Sequence, residues 1–300
     1  MALIRRTRDL IIREINTLPS ARLSSQFAQA LAVEIHRQEL PQLSERQRDC
    51  VYALEREGVY VTHLEDLALA STAAMLQAAR RWIPTLNDTQ PEITAKQDLK
   101  LDDAAILHSP VLYRWGLEES LLNIVETYLG LPARYMGTAF RRSTLHSTQV
   151  KTRDWHTDHE DLRMVKVIVY LSDVDAHSGP FQYISKRLSA YLRDKLSYRH
   201  GRIPLKTVAS LVPESCWQTC LGRAGTVVLA DTATIFHRGK MPTQRERLAL
   251  FYTYTSCQPL NSHICNGSFK PWELEYLTAS LSHRQQQCSL RRFTLPELVG

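Results

Sequence analysis

Apolar residues recur at helical spacing in the first third of the chain and then alternate in short runs. Ile4, Ile11, Ile15 and Leu18 share one helical face with arginines between them, which predicts an N-terminal helix. A second helix is expected from Ser25 to Glu39, ending near Pro41. Ser44-Glu45-Arg46-Gln47 is a capping box, in which Ser44 caps a helix and Gln47 reaches back. Val51 and Leu54 extend its apolar face, Gly58 stops it, and Val59-Tyr60-Val61 reads as a strand. Residues 71–82 predict another helix, closed before Pro84, and the polar, poorly periodic stretch 85–105 reads as a loop. Leu117, Leu121, Val125 and Tyr128 form a helical stripe that ends at Gly130.

Beyond Gly130 the period changes. Residues 134–141, 164–171, 226–230, 234–238 and 247–255 are short, β-rich and separated by turn signals. Further strands are expected within 140–160 and 180–222, where the alternation is weak. Pro271 to Leu281 reads as helix, with Pro271 suited to its first turn. Helices lead, strands fill the middle and a helix closes. This order predicts an α+β chain with a mainly β core, a double-stranded β-helix (jelly roll, cupin-like) flanked by helices.

Composition narrows the classes. The chain has 300 residues, 44% hydrophobic and 23% charged, enough apolar material for a substantial core. Its net charge is +6, but the lysines and arginines are scattered, which argues against a nucleic-acid surface. No apolar run approaches the roughly 20 residues of a membrane span, and Arg5, Arg6, Arg8 and Asp9 interrupt the N-terminus, so no signal peptide is expected and the protein is read as cytoplasmic. Six cysteines form no CxxC pair. Cys216 and Cys220, or Cys257 and Cys265 around His263, come nearest to a zinc arrangement, and free thiols are the expected state.

The chemistry concentrates at Trp155-His156-Thr157-Asp158. In an extended segment His156 and Asp158 project to the same face, as adjacent ligands of one ion must. His237, after the apolar run Thr234-Ile235-Phe236, is the expected third ligand. Two imidazoles and one carboxylate form a face that suits Fe(II) and leaves positions open for a chelating keto acid and O2. Arg247 opens the strand Arg247-Leu-Ala-Leu-Phe-Tyr-Thr-Tyr and shares a face with Ala249, Phe251 and Thr253. Its guanidinium is the expected clamp for a distal carboxylate, with Arg245 as the rival. Tyr170 is a second expected contact to the keto acid.

These blocks, with Ser178-Gly179-Pro180-Phe181-Gln182-Tyr183-Ile184-Ser185, Phe236-His237-Arg238-Gly239 and Arg247-Leu248-Ala249-Leu250, resemble the phytanoyl-CoA dioxygenase (PhyH) family of Fe(II)- and 2-oxoglutarate-dependent oxygenases. The resemblance spans roughly residues 43–256, with 1–42 as an N-terminal helical extension and 43–300 as the oxygenase domain with its C-terminal helix. It implies iron on His156, Asp158 and His237, and the 5-carboxylate of 2-oxoglutarate on Arg247. Two departures stand out. Ser185-Lys186-Arg187-Leu188 replaces a Pro-Gly-Ser-His run that usually shapes a loop, and Gly239 stands where many members carry a serine or threonine. Related halogenases lose the acidic ligand. Asp158 is present, so hydroxylation or a related oxidation is expected.

Substrate-facing expectations are Trp155, Arg142 (or its neighbour Arg141) and His159, with core packing the alternative for Trp155 and a solvated loop for His159 and Arg163. The implied reaction oxidises an unactivated C–H bond of a small metabolite, anionic or carrier-bound, with succinate and CO2 as co-products. A non-catalytic jelly-roll protein binding a metal or ligand is the alternative. Homo-oligomerisation is left open.

Overall fold

The computed structural model describes residues 19–87, 98–145, 151–265 and 267–290; the expected first helix therefore lies largely outside the described residues. The strands are β1 (Val59–His63), β2 (Leu99–Lys100), β3 (Ala133–Ser143), β4 (Met164–Tyr170), β5 (Phe181–Tyr183), β6 (Gln218–Cys220), β7 (Thr226–Ala230), β8 (His237–Gly239) and β9 (Arg247–Ser256). Six pair antiparallel in the order β1-β7-β4-β9-β3-β2, and three in the order β6-β5-β8.

The larger sheet explains its own sequence. Along β4, Val165, Val167 and Val169 join a core shared with the helices, whereas Ile168 and Tyr170 join a second core with Phe181 and Cys220 of the smaller sheet. Along β9, Leu250, Tyr252 and Tyr254 face the helices, and Ala249 and Phe251 face the smaller sheet. Both faces of these strands are covered, so apolar residues run almost without interruption. The polar exceptions on the inner face, Lys166 and Arg247, line a cavity between the sheets. This mainly β core flanked by helices is the double-stranded β-helix the alternation predicts.

Several local signals hold. Ser44 Oγ accepts from Gln47 N at 3.3 Å and Gln47 Oε1 accepts from Ser44 N at 2.8 Å, closing the capping box of the helix Glu45–Glu57. Gly58 ends that helix with φ +82°, and a Cβ there would stand 2.4 Å from Ile235 Cγ2. Gly130 likewise ends the helix Glu119–Leu129 in the left-handed region.

Other expectations need correction. The helix expected to close before Pro84 runs from Thr72 to Asn87, because a proline in a last turn forfeits only one i→i−4 bond. The expected loop 85–105 contains the end of that helix, β2 and the helix Asp103–His108, capped by Asp102; residues 88–97 lie outside the described ones. The second helix begins at Pro19 and ends at His36, followed by a 3-10 turn over Arg37–Glu39. Of the expected strand 234–238 only His237 and Arg238 are in a strand, β8, since Asp231 holds the residues before them in a tight loop. The weakly patterned region yields β5 and β6, each only three residues long. Ser185 precedes a helix, Lys186–Lys195, where the resemblance implies a loop. A helix His283–Leu290 follows Pro271–Thr278.

Candidate metal centre

A two-residue antiparallel bridge sets the two histidines face to face. His156 N donates to His237 O at 3.1 Å, and His237 N donates to His156 O at 2.9 Å. The imidazole centroids stand 4.4 Å apart. Asp158 is carried to the same side by the extended backbone, and its N–H donates to Thr232 O at 2.8 Å. One ligand atom each from His156, Asp158 and His237 lies within 4.8 Å of the others, the only such cluster of three or more His, Cys, Asp or Glu among the described residues. The alternative cysteine arrangements do not form one, and all six cysteines are free thiols.

The loop before His237 is anchored from below. Asp231 is fully buried, accepts from Met164 N, Ala233 N and Thr234 Oγ1, and takes a short hydrogen bond from Tyr128. Its own N–H donates to Gly58 O at 2.8 Å. The cap of the helix Glu45–Glu57 thus holds the loop that supplies both Thr232 O and His237.

The protonation states suit a cation. His156 Nδ1 faces Asp154 O at 2.9 Å and His237 Nδ1 faces Ile235 O at 3.3 Å. A carbonyl only accepts, so each Nδ1 carries the proton and each Nε2 keeps its lone pair. Burial lowers the pKa of both; for His237, burial with the neighbouring His156 brings it to about 3. Burial alone would raise Asp158, but the Lys166 ammonium and then the two histidines overcome it and hold the carboxyl well below its usual range. Near neutral pH the site offers two neutral imidazoles and one carboxylate.

Lys166, which sequence reasoning did not single out, sits on this carboxylate. Its Nζ is 2.6 Å from Asp158 Oδ2, the same oxygen that stands 3.8 Å from His237 Nε2. The signal was present: Lys166 is the one charged residue within the apolar run Met164–Tyr170.

Arg247 lies in the same cavity, about 390 Å³ in volume. It is 5% exposed, donates through Nη2 to Ser143 Oγ at 3.3 Å, and leaves Nε and Nη1 buried without an acceptor among the described residues. Its guanidinium lies 5.9 Å from the ring centroids of Tyr170 and Phe251. Ser143, opposite Arg247 in the β3–β9 register, is the hydroxyl neighbour that Gly239 cannot supply. Gly239 itself leaves room: a Cβ there would meet Arg153 Nη1 at 3.1 Å and Arg247 Nη2 at 3.7 Å. Tyr170 lies behind Arg247. It is fully buried, donates to Cys220 O at 3.0 Å, accepts from Phe181 N, and does not line the cavity.

The remaining expected residues fall elsewhere. Trp155 faces away from His156 and packs with Trp217 and Phe236 in a third core. Arg142 turns out of the cavity to Glu246 and Leu86 O, whereas its neighbour Arg141, one residue along the alternation, lines it. His159 packs beside Tyr198 and does not line the cavity. Arg163 pairs with Glu55, and Arg245, the rival of Arg247, is exposed beside Asp175.

Neither family models nor curated proteins match the sequence. Solved structures resemble its fold. EctD from S. alaskensis in its apo form matches with a TM-score of 0.50 and 20% identity, over 77% of this chain and 82% of that one. HygX from Streptomyces hygroscopicus, crystallised with nickel and 2-oxoglutarate, matches with a TM-score of 0.49 and 21% identity, over 72% and 88%. The non-heme alpha-ketoglutarate-dependent epimerase SnoN from nogalamycin biosynthesis matches at 0.48 and 18%, over 72% and 86%. At these identities the likeness is one of fold. Among the described residues no helix is long and apolar enough to cross a membrane.

Proposed function

We propose that this chain is an Fe(II)- and 2-oxoglutarate-dependent oxygenase of the PhyH type, oxidising an unactivated C–H bond of a small molecule. One observation carries the reading: a metal-competent triad and a buried arginine with two unused donors share one cavity. Among the described residues no acceptor meets Nε and Nη1 of Arg247, and an unmet buried donor is costly unless a ligand answers it. A keto diacid does so, with its distal carboxylate on Arg247 and its other end at the triad. The EctD, HygX and SnoN folds agree with this reading, and structures of EctD and HygX contain 2-oxoglutarate.

His156, Asp158 and His237 would hold the iron, which with 2-oxoglutarate and O2 supplies the oxidising chemistry when bound. The chain's own residues bind and aim. Arg247, steadied by Ser143 Oγ and backed by Tyr170, fixes the far end of the keto acid. The Nδ1–H bonds to Asp154 O and Ile235 O fix the rings so that both Nε2 atoms point inward. Asp158 supplies the anionic donor that halogenases of this fold lack.

The test is anaerobic. Fe(II) and 2-oxoglutarate together give a weak visible charge-transfer band with the wild-type protein and none with Asp158→Ala. A metabolite screen scored by succinate release then identifies the substrate. A wild-type protein that binds Fe(II) without any such band belongs to a non-catalytic binding role instead.

A further inference from the structure

Arg247 is not the only arginine of this cavity whose side chain lacks a carboxylate partner. Arg141, opposite Ala249 in the β3–β9 register, lines it from an exposed position at the rim, and its side chain makes no hydrogen bond or ion pair among the described residues. Its guanidinium lies 5.7 Å from the Phe251 ring centroid; that of Arg247 lies 5.9 Å from the same ring. The other lining charges are engaged, among them Glu160, which accepts from His159 N at 2.9 Å. Lys166 holds Asp158 at 2.6 Å and Lys100 holds Asp103 at 3.1 Å. Arg238 donates to Gln182 Oε1 and Arg153 O. Asp98, whose field reaches Arg141, is held by Arg153 at 2.8 Å, Ser143 Oγ at 3.1 Å and Thr144 N at 3.3 Å.

A keto diacid chelating at the triad has one distal carboxylate. Arg247, the more buried of the two arginines, has two donors waiting for it. The second guanidinium then faces the space left for substrate, whose walls include Met136, Ala139, Ile168, Phe251 and Ile264. We propose, on the oxygenase reading above, that Arg141 anchors a substrate carboxylate and that the substrate is a small carboxylic acid with an apolar body. The cavity is small: about 390 Å³ is shared by co-substrate and substrate, near the low end of the roughly 300–1,000 Å³ of ligand pockets. A carboxylate on an arginine fork is a strong, geometrically defined pair, and an apolar body against Phe251 leaves no polar group unmet.

The experiment is calorimetric titration of the anaerobic protein, loaded with Fe(II) and 2-oxoglutarate, with hexanoate and with hexanamide, a neutral analogue of similar shape. Hexanoate is expected to bind the wild-type protein at least tenfold tighter than hexanamide. Arg141→Gln is expected to lose hexanoate about ten- to a hundredfold, Arg141→Lys to regain part of it, and both to keep the wild-type 2-oxoglutarate affinity read from the charge-transfer band. The proposal is overturned if hexanoate binds the wild-type no better than hexanamide, if Arg141→Gln leaves hexanoate binding unchanged, or if that variant loses 2-oxoglutarate by the same factor, which would make Arg141 part of the co-substrate seat. Absence of the band in the wild-type protein would instead strike the oxygenase reading itself.

Discussion

The ammonium of Lys166 and Oδ2 of Asp158 are 2.6 Å apart. Because Oδ2 is also the oxygen nearest His237 Nε2, the lysine occupies the electrostatic place of a cation in the metal-free protein. On the proposed reading, Lys166 balances Asp158 before a metal is loaded and competes with it during loading. Lys166→Met is expected to lower metal-free stability by roughly 2 kcal/mol, since one member of a largely buried pair is left uncompensated. It is also expected to enlarge the rise in melting temperature on adding Co(II). A smaller rise than wild-type would show that Lys166 assists rather than competes.

Arg247 is where the co-substrate's distal carboxylate is expected. Arg247→Met is expected to weaken 2-oxoglutarate about a hundredfold, through loss of a charge-assisted fork, while leaving Co(II) affinity near wild-type. Ser143→Ala, which removes the acceptor at 3.3 Å from Nη2 together with the donor to Asp98 Oδ2 at 3.1 Å, is expected to cost severalfold. Anaerobic titration of the charge-transfer band measures both, and equal losses in the two variants would contradict the division of roles.

The histidine pair sets a pH dependence. The folded pKa of His237 is depressed to about 3, below the ordinary value near 6.5, so the unfolded chain binds a proton that the folded one refuses. Stability is therefore highest above about pH 6.5 and falls as pH drops toward 3, with His156 shifted in the same direction. Asp158 adds its own loss from the ordinary carboxylate range downward, where its unfolded form takes up a proton that the folded form does not. Denaturant unfolding of the metal-free protein at pH 7, 6, 5 and 4 checks the slope, and His237→Gln should flatten it. A flat wild-type profile would mean that the ring is solvated.

Asp231 touches no expected ligand yet holds the loop that delivers Thr232 O and His237. Asp231→Asn keeps the shape but loses the charge and one of the two carboxylate oxygens that accept from Tyr128, Thr234, Ala233 and Met164. A loss of about 2–4 kcal/mol in stability is expected for a buried network left half satisfied. A weaker Co(II) affinity should accompany it. Unchanged metal binding in a folded Asp231→Asn protein would confine the residue to stability.

The elements written in local pattern were legible in the sequence. Ser44 and Gln47 close a capping box because the serine and glutamine that do it are three residues apart, and Gly58 ends that helix because a left-handed residue is needed there. His156 and Asp158 share a face because extended backbone repeats every two residues. What sequence alone left hidden depended on partners distant in the chain. Nothing local separates Arg141 from Arg142; the β3–β9 register turns one into the cavity and the other to Glu246. Nothing around Ser143 or Lys166 announces Arg247 or Asp158, and Tyr170 reads as an inward contact until Cys220 O claims its hydroxyl. β5 and β6, three residues each, are too short to show a period and exist because neighbours complete their ladders. The chain by itself determined which chemistries it can carry, through residue types and spacings of two to four. Tertiary packing alone decided which side chains meet, because burial and register are properties of paired strands rather than of single ones.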